Sequence, residues 1–151
     1  MSTQRFYDGL VRELSGEEMA LWHAWKRATD SVRARVAADV AAETGLSDPD
    51  FGVLTRVTEI GGGRMRQNQL AESMGFHRSR LSHHLSRMRE RGLITTEPVG
   101  GGVEVIVTER GRDLVGKARP AHAAAVRRHL LEPLAGLDAV DVRRALERLA
   151  G

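Results

Sequence analysis

Between Arg64 and Arg91 the chain carries seven arginines (64, 66, 78, 80, 87, 89 and 91) against two carboxylates, Glu72 and Glu90, a local net charge of +5. Guanidinium groups at that density suit oxyanions, which they hold through charge-assisted and often bidentate hydrogen bonds. The whole chain carries only +3, so the remaining residues sum to −2. A basic stripe confined to one segment of a slightly acidic protein is the footprint of a polyanion-binding element. A solvated arginine-rich helix face has the same composition, and composition alone leaves both readings open.

Other chemistries find less support. The chain has no cysteine, which excludes disulfides, a thiol nucleophile and Cys-ligated metal sites, and fits a reducing cytoplasm. Six histidines (23, 77, 83, 84, 122 and 129) suggest a metal-responsive protein, but no two are three or four residues apart. His83 and His84 point about 100° apart on a helix, and His122 and His129 stand roughly 10 Å apart along one. The glycine runs at 61–63 and 100–102 lack the Gly-Lys-Ser/Thr of a phosphate loop and read as turns. No G-x-S-x-G elbow or H-E-x-x-H helix is present, and Glu17-Glu18, Asp48 and Asp50 are explained as helix starts. The expectation is a non-enzyme without cofactor or metal. No apolar run approaches the roughly 20 residues of a membrane helix, and residues 1–13 show no apolar stretch of signal-peptide length. A soluble cytoplasmic protein with no membrane partner is expected.

The elements that must position the arginines follow from periodicity. Ser15 and Glu18 form a capping box before a helix from about Glu17 to Thr44, with Leu21, Trp25, Val32, Val36 and Val40 as its apolar stripe and Gly45 as its stop. That is long for so small a domain, implying a kink or a reach to a partner. Ser47-Asp48-Pro49-Asp50 opens a second helix carrying Phe51, Leu54 and Val57, with Val53 and Ile60 beside them. A short helix from about Gln67 to Met74, a turn at Gly75-Phe76 and a helix from about His77 to Arg91 follow. Leu81, Leu85 and Met88 form the inner face of the last of these. The period then changes to that of strands, and Leu93–Glu97 and Val103–Val107 flank a glycine tip as a β-hairpin. Thr108 caps a further helix that Pro120 kinks or restarts, and Asp138 with Asp141 begins a last one with Val142, Leu146 and Leu149.

Short helix, glycine turn, basic helix and hairpin make a winged helix–turn–helix, in which one helix face reaches into the major groove while the other stays packed. Arg78, Ser79, Arg80, Ser82 and His83 are candidates to read or approach bases. Arg64, Arg66, Asn68, Gln69 and Arg87 are candidates for the backbone.

Gln69-Leu70-Ala71, Gly75-Phe76, Ser79-Arg80-Leu81-Ser82, Arg87-Met88 and Gly92-Leu93-Ile94 together resemble the core of the MarR family of transcriptional regulators. Thr108-Glu109-Arg110-Gly111 resembles that family's threonine–glycine start of its fifth helix. His122–Leu131 is similar to members from high-GC, actinomycete-like sources. The resemblance runs from Glu17 to Leu149 and implies a mainly α fold with a small β-hairpin. It divides the chain into an N-terminal dimerisation helix (1–46), a winged helix–turn–helix (47–108) and C-terminal dimerisation helices (109–151). It further implies a homodimer on a pseudo-palindromic double-stranded DNA operator, acting as a repressor and relieved by a small phenolic ligand. Trp22 and Trp25, on the first helix, are the candidates to stack on such an effector; the alternative is that both fill the core or the dimer interface. A closed monomeric bundle and a non-specific architectural DNA binder are the competing readings. The chain departs from the family twice. Its wing tip, Val99 to Val103, has no basic residue where the family carries an Asp-Arg-Arg-like tip, so wing contacts fall to the glycine backbone or another region, with Arg64 and Arg66 as phosphate candidates. Ser86 stands where an acidic residue usually precedes the arginine of the recognition helix, so Arg87 lacks that ion pair and is freer to bind phosphate.

Overall fold

The computed structural model describes residues 13–151; the expectation of no leader at the N-terminus lies outside them. Helix α1 spans Gly16–Thr44, α2 Asp48–Thr55, α3 Gln67–Met74, α4 Arg78–Glu90, α5 Glu109–Val126 and α6 Ala139–Ala150. Strands β1 (Arg64–Arg66), β2 (Ile94–Val99) and β3 (Gly102–Val107) complete the fold. Among the described residues no helix is long and apolar enough to cross a membrane. Residues up to Ala34 form one compact unit and Arg35–Gly151 a second.

The helix ends obey their local chemistry. Ser15 N–H donates to Glu18 Oε2 at 2.7 Å while Glu18 N–H donates to Ser15 Oγ at 3.2 Å, the reciprocal box expected from the sequence. Ser47 and Asp50 repeat it at α2, with Pro49 in the first turn. Gly75, at φ 64°, supplies the left-handed residue that ends α3 and turns the chain into α4.

Three findings differ from the sequence expectation. The sheet has three strands in the order β1-β3-β2, all antiparallel, with Arg64 opposite Ile106 and Arg66 opposite Glu104. A three-residue strand is too short to show a period of two, so the hairpin alone was visible. Pro120, expected to kink or restart the helix, does not restart it: α5 runs through to Val126 before a widened π-type turn at Arg127–Leu131. Both Pro120 and Gly116 are exposed, so water can satisfy the carbonyl whose partner N–H proline lacks. Ile60, expected beside the apolar stripe of the second helix, is 70% exposed, at the end of a π-type turn over Arg56–Ile60.

The core of the second unit joins Val40 and Leu46 to Val53, Leu54 and Val57 of the α2 region, Leu70 of α3, Leu81, Leu85 and Met88 of α4, and Val105 and Val107 of β3. Val115 and Ala118 of α5 close it. Outside it, Leu21, Trp22 and Trp25 on α1 are exposed, and so are Leu131, Leu137, Leu146 and Leu149 at the C-terminal end.

Thr108 seats α5. Its Oγ1 donates to the carbonyls of Gly92 and Leu93, at 2.7 and 3.0 Å, and accepts the Gly111 N–H at 3.0 Å. A Cβ on Gly111 would run into the Leu93 carbonyl and stand 3.0 Å from Val107 Cγ1. Gly111→Ala is therefore expected to destabilise by about 1–3 kcal/mol through overpacking. Gly116→Ala, whose Cβ would meet nothing within 4 Å, should stabilise by about 0.5–1 kcal/mol through helix propensity. Denaturant melts of the two variants check both signs.

Candidate nucleic-acid interface

Helix α4 has two chemically distinct faces. Leu81, His84, Leu85 and Met88 are buried. Arg78, Ser79, Arg80, Ser82, His83 and Arg87 are exposed, as are Asn68 and Gln69 on α3. The Arg80 guanidinium lies 4.0 Å from the centroid of the Phe76 ring in the α3–α4 turn. A guanidinium over an aromatic face is restrained before it meets a ligand and keeps its charge exposed.

A buried carboxylate anchors the far end of the helix. Asp50 is 1% exposed. Its Oδ2 accepts from Ser47 N–H at 3.0 Å and from Arg91 Nη1 at 2.7 Å, and Arg91 Nη2 donates to the Gly45 carbonyl at 3.2 Å. One acid thus caps α2 and clamps the residue that ends α4 to the α1–α2 turn. Its Oδ1 faces His84 Nε2 at 3.1 Å, too obliquely for a well-formed hydrogen bond, and neither atom has another partner among the described residues. Arg87 Nη2 lies 3.3 Å from His84 Nδ1. Arginine only donates, so Nδ1 accepts and the ring proton sits on Nε2, toward Asp50. Burial pushes the Asp50 carboxyl up, but the bonds from Arg91 and Ser47 outweigh it and hold it below its usual value. Burial holds the His84 imidazole below its usual value; Asp50 opposes this, while Arg87, Arg91 and Arg80 add to it.

The wing is braced by arginines as well. Arg64 donates to Glu104 Oε2 from Nε at 3.0 Å and from Nη2 at 2.8 Å, and to Glu97 Oε2 at 3.0 Å. Named among the expected phosphate contacts, it is exposed and pairs with two carboxylates, tying β1 to β2 and β3. Arg66 Nη1 donates to the Val99 carbonyl at the tip of the wing, at 3.0 Å. Arg89 of α4 reaches Thr96 of β2 at 3.2 Å.

The geometry thus brings Arg78, Ser79, Arg80, Ser82, His83 and Arg87 onto one exposed face, with Asn68 and Gln69 on the neighbouring helix and Arg66 on the wing. Trp22 and Trp25 lie on the part of α1 before Ala34, where Lys26 Nζ sits 5.3 Å from the Trp22 ring. His129 pairs with Asp39 at 2.9 Å, and the described residues contain no cluster of three or more His, Cys, Asp or Glu suited to a metal. Asp50, Phe76 and Arg91 were missed as site residues. Asp50 reads in the sequence as a plain helix cap, and nothing along the chain signals a partner 41 residues away.

Comparison with solved structures gives a full-length likeness. AbsC, a MarR family transcriptional regulator from Streptomyces coelicolor, is 30% identical over 93% of this chain and 96% of its own, with a TM-score of 0.84. The chain belongs to the MarR family. Sco3205, a MarR family regulator from the same organism solved in complex with DNA, is 24% identical over 93% and 90% of the two chains, with a TM-score of 0.83. The organohalide-sensing regulator RdhR-CbdbA1625, in its 2,4-dichlorophenol-bound form, shares 19% identity over 93% and 86%, with a TM-score of 0.71. At those identities the likeness is one of fold. Residues 45–106 match a family described as a domain of unknown function, DUF7343. Comparison with curated protein sequences gave no match. In this MarR family member, then, the winged helix fold carries arginines in three settings: exposed on α4, paired with carboxylates on the wing, and, at Arg91, exposed but bonded to the buried Asp50.

Both buried titrations make the folded protein acid-sensitive. The folded value of His84 lies below 6.5, so its contribution is present above that pH and lost as pH falls through the folded value. The folded value of Asp50 lies below 3.8, so its contribution disappears only below that, as pH falls through the folded value. Thermal melts from about pH 8 to about pH 3 should show two stages of destabilisation. His84→Gln should remove the first and Asp50→Asn the second; an unchanged profile in either variant would contradict the assignment.

Proposed function

We propose that this MarR family protein is a cytoplasmic, sequence-specific DNA-binding transcriptional regulator, acting as a homodimeric repressor on a pseudo-palindromic operator and relieved by a small phenolic ligand. The observation that carries the reading is the exposed Arg/Ser/His face of α4 above a fully packed inner face, with Arg80 preset on Phe76. Arg78, Ser79, Arg80, Ser82 and His83 approach base edges, where arginine reads guanine O6 and N7. Arg87, with Asn68 and Gln69, holds phosphates. The solved complex of Sco3205 with DNA supports the same use of the fold here.

Dimerisation, through 1–46 and 109–151, is supported by the exposed apolar residues at both ends of the chain. A stable dimer buries about 1,200–2,000 Å² in total. Around α6, Leu130, Leu134, Leu137, Val142 and Leu146 line an open apolar groove, the kind of surface a second copy would cover. Two recognition helices would then stand roughly 34–36 Å apart, one turn of DNA.

Selection of bound DNA from a random pool is expected to enrich an inverted repeat with half-sites one turn apart. Enrichment of nothing, with binding that fades as salt rises, would favour an architectural DNA binder. On the selected site Arg80→Ala should cost about 1–3 kcal/mol and relax base preference at one position. Arg87→Ala should weaken cognate and scrambled DNA alike and lower the salt slope by about 1.

The effector reading is supported by the two exposed tryptophans and by the dichlorophenol-bound RdhR-CbdbA1625. Trp22 and Trp25 are the only tryptophans of the chain. Titration with chlorinated phenols and salicylate should quench their fluorescence saturably and release operator DNA over the same concentration range; quenching without release would remove the effector role.

A further inference from the structure

The α3–α4 turn carries a partly buried aromatic ring where packing alone asks only for an apolar side chain. Phe76 stands just before His77, the cap residue of α4. Its N–H donates to the Ala71 carbonyl at 2.9 Å, while Gly75 N–H donates to the Glu72 carbonyl at 3.1 Å. These are the two bonds that close a helix on a left-handed glycine, so the backbone of Phe76 is pinned to α3. Its side chain packs against the core that contains Leu70, Leu81 and Leu85. An apolar residue before the cap fastens the entry of a helix by packing on its first turns, a role that any large apolar side chain can fill.

What a ring adds is its face. The Arg80 guanidinium lies over it, 4.0 Å from the centroid. The ring is fixed by α3 and the core, whereas Arg80 is exposed, four residues further along the chain. Attraction of a cation to the negative face of a ring limits the conformations of a long side chain without occupying any of its five N–H donors. Arg87 is held differently, through a donor directed at His84 Nδ1 at 3.3 Å. Phosphate accepts a guanidinium from many directions. Guanine is more exacting, because its O6 and N7 are met together only by a planar fork brought edge-on to the base. Restraint of the fork therefore favours base reading more than phosphate binding.

We propose that Phe76 is a positioning residue that determines sequence specificity: it touches no base, but by holding the Arg80 guanidinium it turns a general anion contact into bidentate reading of one guanine in each half-site. This rests on the DNA-binding reading above and deepens it. Affinity and specificity are thereby divided, the charge coming from Arg80 and its aim from a ring behind it.

Binding of the full chain to its selected operator tests this. The guanine in question is the position whose preference is lost in Arg80→Ala, and it is replaced by 7-deazaguanine, which keeps O6 and the base pair but lacks the N7 acceptor. Wild type should bind the substituted operator roughly tenfold more weakly, having lost one arm of a bidentate contact. Phe76→Leu should bind the natural and substituted operators alike, at about the weaker level, with its affinity for scrambled DNA and its salt slope unchanged. Phe76→Tyr, which keeps the ring, should restore the discrimination. Added to Arg80→Ala, Phe76→Leu should change nothing further, because both act through one guanidinium. Full discrimination in Phe76→Leu, equal loss on operator and scrambled DNA, additive losses in the double variant, or no rescue by tyrosine would each overturn the inference. Circular dichroism melts of each variant separate lost readout from lost folding. If wild type selects no operator, the DNA reading falls with this inference; if it selects one in which Arg80→Ala relaxes no position, this inference falls alone.

Discussion

The buried carboxylate of Asp50 is the contact on which the working parts depend. It caps α2, accepts from Arg91 at the end of α4, and faces His84 in the middle of that helix. An ionised carboxylate this deep is tolerated only when its oxygens are met by charge or by N–H groups, so its neighbours are not free to move independently. The apolar inner face of α4 decides which side of the helix is outward. Asp50 decides where its end sits relative to the α1–α2 turn, because hydrophobic packing is non-directional and a charged hydrogen bond is not.

Arginine is put to several uses within one short stretch of chain. Arg91 neutralises a buried acid, Arg64 is neutralised by two acids beneath the wing, and Arg89 joins the recognition helix to β2. Arg80 lies on an aromatic ring and Arg87 rests near a buried imidazole. A long side chain with five donors and a permanent charge can serve as bolt or as reader, and its surroundings decide which. The local excess of +5 therefore overstates the charge available to a ligand.

The surfaces left uncovered are equally informative. Apolar residues on the first part of α1 and around α6 stay exposed, including both tryptophans. Contiguous exposed apolar surface of this kind marks sites of association.

Much of this was legible along the chain. The capping boxes at Ser15 and Ser47, the glycine turn at Gly75, the two faces of α4 and the hairpin all follow from local rules, since caps, left-handed residues and periodicity act over a few residues. So did the exposed candidates on α4, because Leu81, Leu85 and Met88 fix the inward face and leave the rest outside. The sequence by itself determined which residues form the helices, which face of each is apolar, and that arginine is concentrated in one segment. Only the tertiary structure decided which arginines are spent and which are free. Glu104 finds Arg64 across 40 residues, Asp50 finds Arg91 across 41, and Arg66 reaches the wing tip across 33. The short strand β1, the outward turn of Ile60 and the continuity of α5 through Pro120 belong to the same class. Each is settled by a neighbour distant along the chain or by access to water, and no local pattern of residue types records either.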